Sequence, residues 1–231
     1  MGKMDIFAVK ATAKKIARRK LFAKIAAVVA AISITILLAF YGSVSFASGL
    51  GGFSVSLVED SHVDKKISLS YTKDFSDPRT VLVCDKLEQM DNITEAWLPE
   101  DINDIDGNHN GKNHIAITFY LKNAGNAAID YKKEILISGV KQGADEAIRV
   151  KLYTNDEAIV YAKPKKGTTV PEDNTQAFYS MGKVMSETRT NFKPEEIDKF
   201  TIVVWLEGND PECIDNIKSG NVKMEMKFEI I

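Results

Sequence analysis

Two patterns of apolar residues divide the chain into two parts. Residues 25–58 contain no charged side chain, and the apolar run over 25–47 reaches the length of about 20 residues that a membrane-spanning helix needs. After this run, apolar and polar residues alternate in short segments, which is the period of a strand with one buried face. We therefore expect a hydrophobic helix at 25–47 and a β-rich domain at 48–231.

The β-rich part is predicted to form an all-β sandwich. Most of its segments alternate with period two, and 200–206 is a continuous β-branched and apolar run, typical of a central strand. The predicted strands are 53–57, 67–71, 80–84, 114–122, 131–138, 147–153, 157–162, 200–206 and 222–230. Short strands joined by turn residues indicate a sandwich, with one or two short helices. The best helix signal is 210–220, where Asp210 can cap the first turn, Pro211 follows it and Gly220 ends it.

The residues before the apolar run predict its orientation. Positions 1–24 carry eight lysines and arginines and a single acid, Asp5. The positive-inside rule then places 1–24 in the cytoplasm and 48–231 outside the membrane. Residues 45–47, Ser-Phe-Ala, fit a signal peptidase site that would leave Ser48 as the new N-terminus, whereas the length of the run favours a retained anchor. The sequence leaves a secreted and a membrane-tethered surface protein as alternatives.

The exported part is acidic. The chain has 30 basic and 32 acidic residues, of which eight basic residues and one acidic residue lie in 1–47. Residues 48–231 therefore carry 22 basic and 31 acidic residues. An acidic domain repels phosphate backbones, so we expect no nucleic-acid partner.

The chain has two cysteines, Cys84 and Cys213. In an exported protein they can close one disulfide bond, which here would join the start of the domain to its end. The alternative is two buried free thiols.

Motifs of the common enzyme classes are absent from the sequence. The three histidines, His62, His109 and His114, do not have the spacing of a zinc site, and there is no nucleophile elbow or phosphate-binding glycine loop. We therefore predict no enzymatic activity and no bound cofactor other than a metal ion.

The polar loop at 99–113 is the candidate metal site. Its alternating oxygen ligands, which calcium prefers, are Asp104, Asp106, Asn108 and Asn110. The EF-hand pattern fails, because glycine falls at 107 and 111 and the twelfth position is Ile115 rather than Glu. The alternative is a solvated loop that ends in an Asn-Gly turn. Trp97 or Trp205 could contact a glycan, although a single Trp in an apolar strand is typical of a core.

Three segments together resemble the TasA/camelysin family of exported Gram-positive surface and biofilm-matrix proteins. They are Trp205-Leu-Glu-Gly-Asn-Asp-Pro211, Thr118-Phe-Tyr-Leu-Lys-Asn-Ala-Gly125 and the long export region. The resemblance implies a jelly-roll-like β-sandwich, processing by a dedicated signal peptidase, and assembly into matrix fibres in some members.

The resemblance also implies a mode of assembly, in which an N-terminal strand is donated to the open sheet edge of the next subunit. The candidate donor is 50–58, with Phe53, Val55 and Leu57 on one face. The alternative is that 53–57 pairs within its own domain. The resulting expectation is a cell-surface or matrix structural protein that binds copies of itself or other matrix proteins. The alternative function is a non-catalytic surface module that binds glycan or calcium.

Overall fold

Strands dominate the computed structural model, which describes residues 52–58, 66–87, 90–217 and 219–231. The predicted segments 1–24 and 25–47 lie outside these described residues. Within the described residues there are twelve strands and three 3-10 helices, and no α-helix. The strands are β1 Phe53–Leu57, β2 Ile67–Ser70, β3 Val81–Val83, β4 Gly107–Asn108, β5 Ile115–Asn123, β6 Ile129–Lys141, β7 Ile148–Thr154, β8 Glu157–Ala162, β9 Gln176–Ala177, β10 Lys183–Phe192, β11 Ile197–Leu206 and β12 Asn221–Ile230. The 3-10 helices are Glu95–Trp97, Ala144–Glu146 and Asp215–Ile217.

The strands form two mixed sheets. The first sheet has the order β10-β6-β12-β1-β3, and the second has the order β2-β5-β11-β7-β8-β9, with β4 also paired to β5. Most neighbours are antiparallel, but β1 runs parallel to β12 and β8 runs parallel to β9. The all-β sandwich predicted from the sequence is confirmed at this level.

The main core lies between the two sheets and is rich in aromatic rings. Phe119 and Phe200 of the second sheet stack with their centroids 5.5 Å apart. Phe228 of the first sheet meets Phe200 at 5.2 Å and Tyr131 at 5.8 Å. Such offset and edge-on ring pairs are favourable beyond the apolar area that they bury. Phe228 belongs to the buried face of the last strand. Val222, Met224 and Met226 are buried on the same face, as the alternation in the sequence predicts.

A smaller core lies on the other face of the second sheet. Ile93 and Ile102 pack there against Ala116, Val203 and Trp205. Trp205 is therefore buried on an outward-facing strand position, with 0% of its surface exposed. Its burial means that Trp205 is part of a core and offers no ring face to a glycan.

The helix predicted over 210–220 is only a 3-10 turn, Asp215–Ile217. Asp210 does accept a hydrogen bond from the backbone N–H of Glu212 (2.8 Å), as a capping residue would. However, the N–H of Cys213 donates to the carbonyl oxygen of Asp210, which closes a tight turn (2.9 Å). The Asp210 carboxylate is also paired with Arg149, and the chain turns at this point without starting an α-helix.

Candidate functional site: the N-terminal strand and the cavity beside it

β1 is the first described strand, and it lies inside the first sheet rather than at its edge. It pairs parallel to β12 from Phe53 with Met224 to Leu57 with Phe228, and antiparallel to β3 on its other side. Phe53 and Val55 are buried, and Leu57 packs partly buried against the same core. The three candidate donor residues thus complete the sheet of their own chain, which is the second alternative that the sequence left open.

Backbone hydrogen bonds hold β1 on both sides. On the β3 side, Cys84 donates to the carbonyl oxygen of Phe53 (2.9 Å), and Leu57 donates to that of Thr80 (3.0 Å). On the β12 side, Val58 donates to the carbonyl oxygen of Phe228 (2.8 Å). Removal of β1 would therefore leave two unpaired strand edges and an open core at the same place.

The outer edge of β3 is protected by side chains. Tyr71 uses its hydroxyl twice, donating to the carbonyl oxygen of Val83 (2.8 Å) and accepting from its N–H (2.9 Å). Asn108 donates a further hydrogen bond to the same carbonyl oxygen (3.2 Å). With these groups occupied, the three-residue strand offers little backbone to a partner strand.

The opposite edge of the first sheet, β10, is long but irregular. Its pairing with β6 shifts register between Lys183 and Met185 and again between Arg189 and Phe192. It also carries exposed Glu187 and Thr188. Charges and bulges on an edge strand disfavour edge-to-edge association.

A cavity of about 600 Å³ lies at the end of the sandwich where β1, β5, β7 and β12 begin and β11 ends. Its walls come from both sheets and are mostly apolar: Phe53, Val222 and Met224 from the first sheet, and Ile115, Ile148, Val204 and Leu206 from the second. At its rim, Asn92 and Cys213 meet, with 3.4 Å between Nδ2 and Sγ. A cavity of this size and lining is large enough for an apolar group.

Both cysteines are free thiols in the structure. Cys84 is buried, and its sulfur contacts Asn110 Oδ1 (3.5 Å). Burial, together with the nearby charge of Asp85, raises the pKa of Cys84 to about 12. Cys213 is half-buried at the cavity rim. The predicted disulfide is thus not formed in this structure: Cys84 contacts Asn110, and Cys213 contacts Asn92.

The candidate calcium residues are engaged in separate contacts within the protein. Asp106 accepts a hydrogen bond from the Tyr120 hydroxyl (2.6 Å), and burial and this carboxylate both raise the pKa of Tyr120. Asn110 accepts from the backbone N–H of Ala116 and donates to the carbonyl oxygen of Asp85, both at 2.8 Å. Asn108 donates to β3 as described above, and Asp104 is exposed, with its N–H bonded to the carbonyl oxygen of Asp101 (2.8 Å). Through these contacts, the 99–113 loop connects β3 with β5.

A cluster of three acidic side chains lies elsewhere among the described residues. Oxygens of Glu172, Asp210 and Glu212 lie within 4.8 Å of one another. A hydrogen bond with Asp210 and partial burial raise the pKa of Glu212. Asp210 is fully buried and pairs with the buried Arg149, at 2.7 Å between Oδ2 and Nη2. Asp210 and Glu212 are close in sequence, whereas Glu172 is remote from them and reaches the cluster only through the fold.

An open polar groove of about 760 Å³ crosses β7 between residues 94–100 and 173–175. Within it, Lys151 pairs with Glu95 (2.9 Å), and its Nζ lies 5.1 Å from the centroid of the Tyr153 ring. Trp97 belongs to the segment that borders the groove, and 70% of its surface is exposed.

Among the residues that the structure describes, no helix has the length and apolar character required to cross a membrane.

Comparison with known proteins places the chain in no family. No family model matches it, and no curated protein does so either. Among solved structures, the β-glucosidase of Kluyveromyces marxianus in complex with glucose is similar over 69% of this chain, with 12% identity and a TM-score of 0.23. The selenomethionine-labelled form of that enzyme gives the same identity and TM-score. This chain covers 15% of the first structure and 16% of the second, and a TM-score this low carries no inference about fold or activity.

Proposed function

We propose that this chain is an exported structural protein of the cell surface or extracellular matrix, related to the TasA/camelysin family. Its jelly-roll-like domain self-assembles by exchange of β1 between copies. One observation carries the proposal: an uncharged N-terminal strand, Phe53–Leu57, is inserted between the C-terminal strand β12 and the short strand β3.

Exchange of β1 keeps every native contact while changing which copy supplies it. The parallel register with β12 and the burial of Phe53 and Val55 would be the same in either arrangement. Such swapping between identical protomers is an accessible route to assembly, and a head-to-tail exchange that does not close on itself produces a filament. Because the edges at β3 and β10 are protected, the place of β1 is the natural acceptor for a partner strand.

For exchange, β1 must be able to leave its place in its own domain and reach another copy. Cleavage between Ala47 and Ser48 by signal peptidase would free it, whereas a retained helix at 25–47 would hold each copy at the membrane. The partners in this account are other copies of the chain or related matrix proteins outside the cell.

The test compares residues 48–231 with residues 59–231, which lack β1. We expect filaments, seen by electron microscopy, from the longer fragment alone. The shorter fragment should bind a synthetic peptide of residues 48–58. A peptide with Val55→Asp should not bind, and the matched peptide with the outward-facing Ser54→Asn should. Filaments from 59–231 would rule out donation by this strand.

A second candidate is a non-catalytic surface module for glycan or calcium, favoured by the polar groove that residues 94–96 and 98–100 help to line and by the exposed Trp97 between them. Glycan binding that is lost in Trp97→Ala would support it over the structural function. A calcium-dependent rise in melting temperature, abolished by Glu172→Gln or by Asp106→Asn, would instead point to the acidic cluster or to the 99–113 loop.

A further inference from the structure

A buried lysine contacts two carboxylates just after the end of β8. Lys163 forms an ion pair with Asp145, which is buried as well, and its Nζ donates a hydrogen bond to Oε1 of Glu146 (2.7 Å). The side chains of Lys163 and Asp145 are each only 8% exposed. Lys133 is the other buried lysine among the described residues, but the side chain of its carboxylate partner, Glu187, is 42% exposed. The contact between Lys163 and Asp145 is therefore shielded from water at both ends.

The backbone places the two carboxylates next to each other. Gly143 adopts a left-handed conformation (φ 64°) and precedes the 3-10 helix Ala144–Glu146, in the connection between β6 and β7. The N–H of Glu146 donates to the carbonyl oxygen of Gly143 (3.0 Å), and the helix packs against β6 and β12 of the first sheet. Lys163 follows β8, a strand of the second sheet. A covalent bond between Asp145 and Lys163 would thus tie a turn that packs on the first sheet to the second sheet.

The three side chains contain the groups that amide formation needs. Nζ of Lys163 contacts a carboxylate oxygen of Asp145, so the carbon that an amine would attack, Cγ, lies one covalent bond further on. Holding two reacting groups together in this way can correspond to an effective concentration of about 10⁵–10⁸ M. A neighbouring carboxylate can carry protons between them. We propose that Lys163 and Asp145 become joined by an intramolecular isopeptide bond, with Glu146 as the proton relay.

The reaction starts from an ionised pair. Burial disfavours the ammonium form of Lys163, but the hydrogen bonds with Asp145 and Glu146 outweigh burial and raise the pKa of this lysine. A proton must therefore pass from Nζ to the Asp145 carboxylate before the amine can attack. Because this step is unfavourable, we expect slow bond formation after folding.

The remaining steps balance without another reactant. The lone pair of Nζ forms the bond to Cγ of Asp145, and the bond from Cγ to the hydroxyl oxygen breaks. Glu146 takes the second proton from Nζ and passes it to the leaving hydroxyl, which departs as water. No oxidation or reduction occurs, and Glu146 returns to its starting state. The product no longer contains the two charges, which are costly to bury.

Mass spectrometry of the full-length wild type is the first test and needs no variant. The protein should be lighter than its sequence predicts by one water molecule. Because a succinimide at Asp106-Gly107 would cause the same loss, tryptic peptides must locate the bond. We expect one branched peptide that contains both Asp145 and Lys163, with no cleavage after Lys163. Complete recovery of separate, unmodified peptides with these two residues would overturn the proposal.

An internal control and two variants test the assigned roles. Lys165 and Asp173 form an exposed ion pair (2.8 Å) and should be recovered unlinked from the same digest. Lys163→Arg keeps the positive charge but has no amine, so it should have the full sequence mass. Glu146→Gln should slow bond formation by at least about 100-fold, the contribution expected of an acid–base group. Equal linked fractions in the wild type and Glu146→Gln throughout a time course after synthesis would rule out the relay. The bond lies within one chain and does not involve β1, so these results are independent of filament formation.

Discussion

Ser56 of β1 donates a hydrogen bond to Glu225 of β12, with 2.7 Å between Oγ and Oε1, across 169 residues of sequence. The contact lies on the outer face of the first sheet, because Phe53 and Val55 point to the core. It joins the first described strand to the last one. The position that β1 occupies in the sheet is therefore complete only when the C-terminal strand β12 has formed. A β1 strand from another copy would meet the same partners there.

The inward side chains of β1 should dominate its contribution to stability. Phe53 is 1% exposed and forms part of the cavity wall. Phe53→Ala should lower the free energy of unfolding of residues 48–231 by about 3–5 kcal/mol, measured by urea denaturation. Ser54→Ala, on the outer face of the same strand, should change it by less than about 0.5 kcal/mol. Equal effects of the two substitutions would show that β1 does not pack as described.

The connection that the 99–113 loop makes between β3 and β5 should depend on the hydrogen bonds of Asn110. Asn110→Ala leaves the N–H of Ala116 and the carbonyl oxygen of Asp85 without their side-chain partner. We expect a loss of about 1–3 kcal/mol in thermal or chemical unfolding. Asn126→Ala, at an exposed turn, is the control and should be near neutral. A neutral Asn110→Ala would mean that the loop is not held by these bonds.

Glu134 should make stability depend on acid pH. Burial opposes its ionisation, but hydrogen bonds from Lys183, Lys132 and Ser186 outweigh burial and lower the pKa of Glu134 from 4.5 to about 2. Because the folded pKa is the lower one, the stabilisation is present above pH 4.5 and is lost as the pH falls towards 2.

Comparison of the wild type with Glu134→Gln isolates this effect. Relative to the variant, the wild type should lose about 1–2 kcal/mol between about pH 5 and pH 2, a value reduced by solvent screening. Glu157→Gln, an exposed residue of β8, should follow the wild type throughout. Parallel curves for the wild type and Glu134→Gln would contradict the assigned contacts.

The two thiols should react at very different rates. The raised pKa of Cys84, about 12, keeps this buried thiol protonated at neutral pH, whereas Cys213 is half-buried at the cavity rim. Alkylation of the native, unreduced protein should therefore modify Cys213 first, and denaturation should expose both thiols. A denatured, unreduced protein with no reactive thiol would instead establish the Cys84–Cys213 disulfide.

The strands whose apolar and polar residues alternate regularly were predictable from the sequence. The polar edge strand β10 was not. The buried strand 114–122 corresponds to β5, Ile115–Asn123, and 222–230 corresponds to β12, Asn221–Ile230, because each alternates over its whole length. β10, Lys183–Phe192, was missed, since both of its faces carry Ser, Glu, Thr or Arg and no period-two pattern emerges. It is a strand because β6 offers it backbone partners, a tertiary cause that local sequence does not carry.

The candidate site was predictable in part for similar reasons. The alternation of Phe53, Val55 and Leu57 predicts a strand, which is confirmed, but not that β12 would be its parallel neighbour. The cavity could not be predicted, because its walls come from five strands that are distributed along the chain from Phe53 to Met224. The acids and amides at 104–110 predict oxygen-rich chemistry, but their individual hydrogen bonds depend on where β3 and β5 lie.

The most direct test of strand exchange uses the registered pair Ser54 and Glu225, whose side chains lie on the outer face. Two forms of residues 48–231, one with Ser54→Cys and one with Glu225→Cys, both with Cys213→Ser, are mixed and allowed to assemble, then oxidised and mapped by mass spectrometry. Exchange predicts a disulfide between the two different chains in the filaments and none in the separated monomers. Filaments in which no disulfide joins position 54 of one chain to position 225 of another would contradict the account.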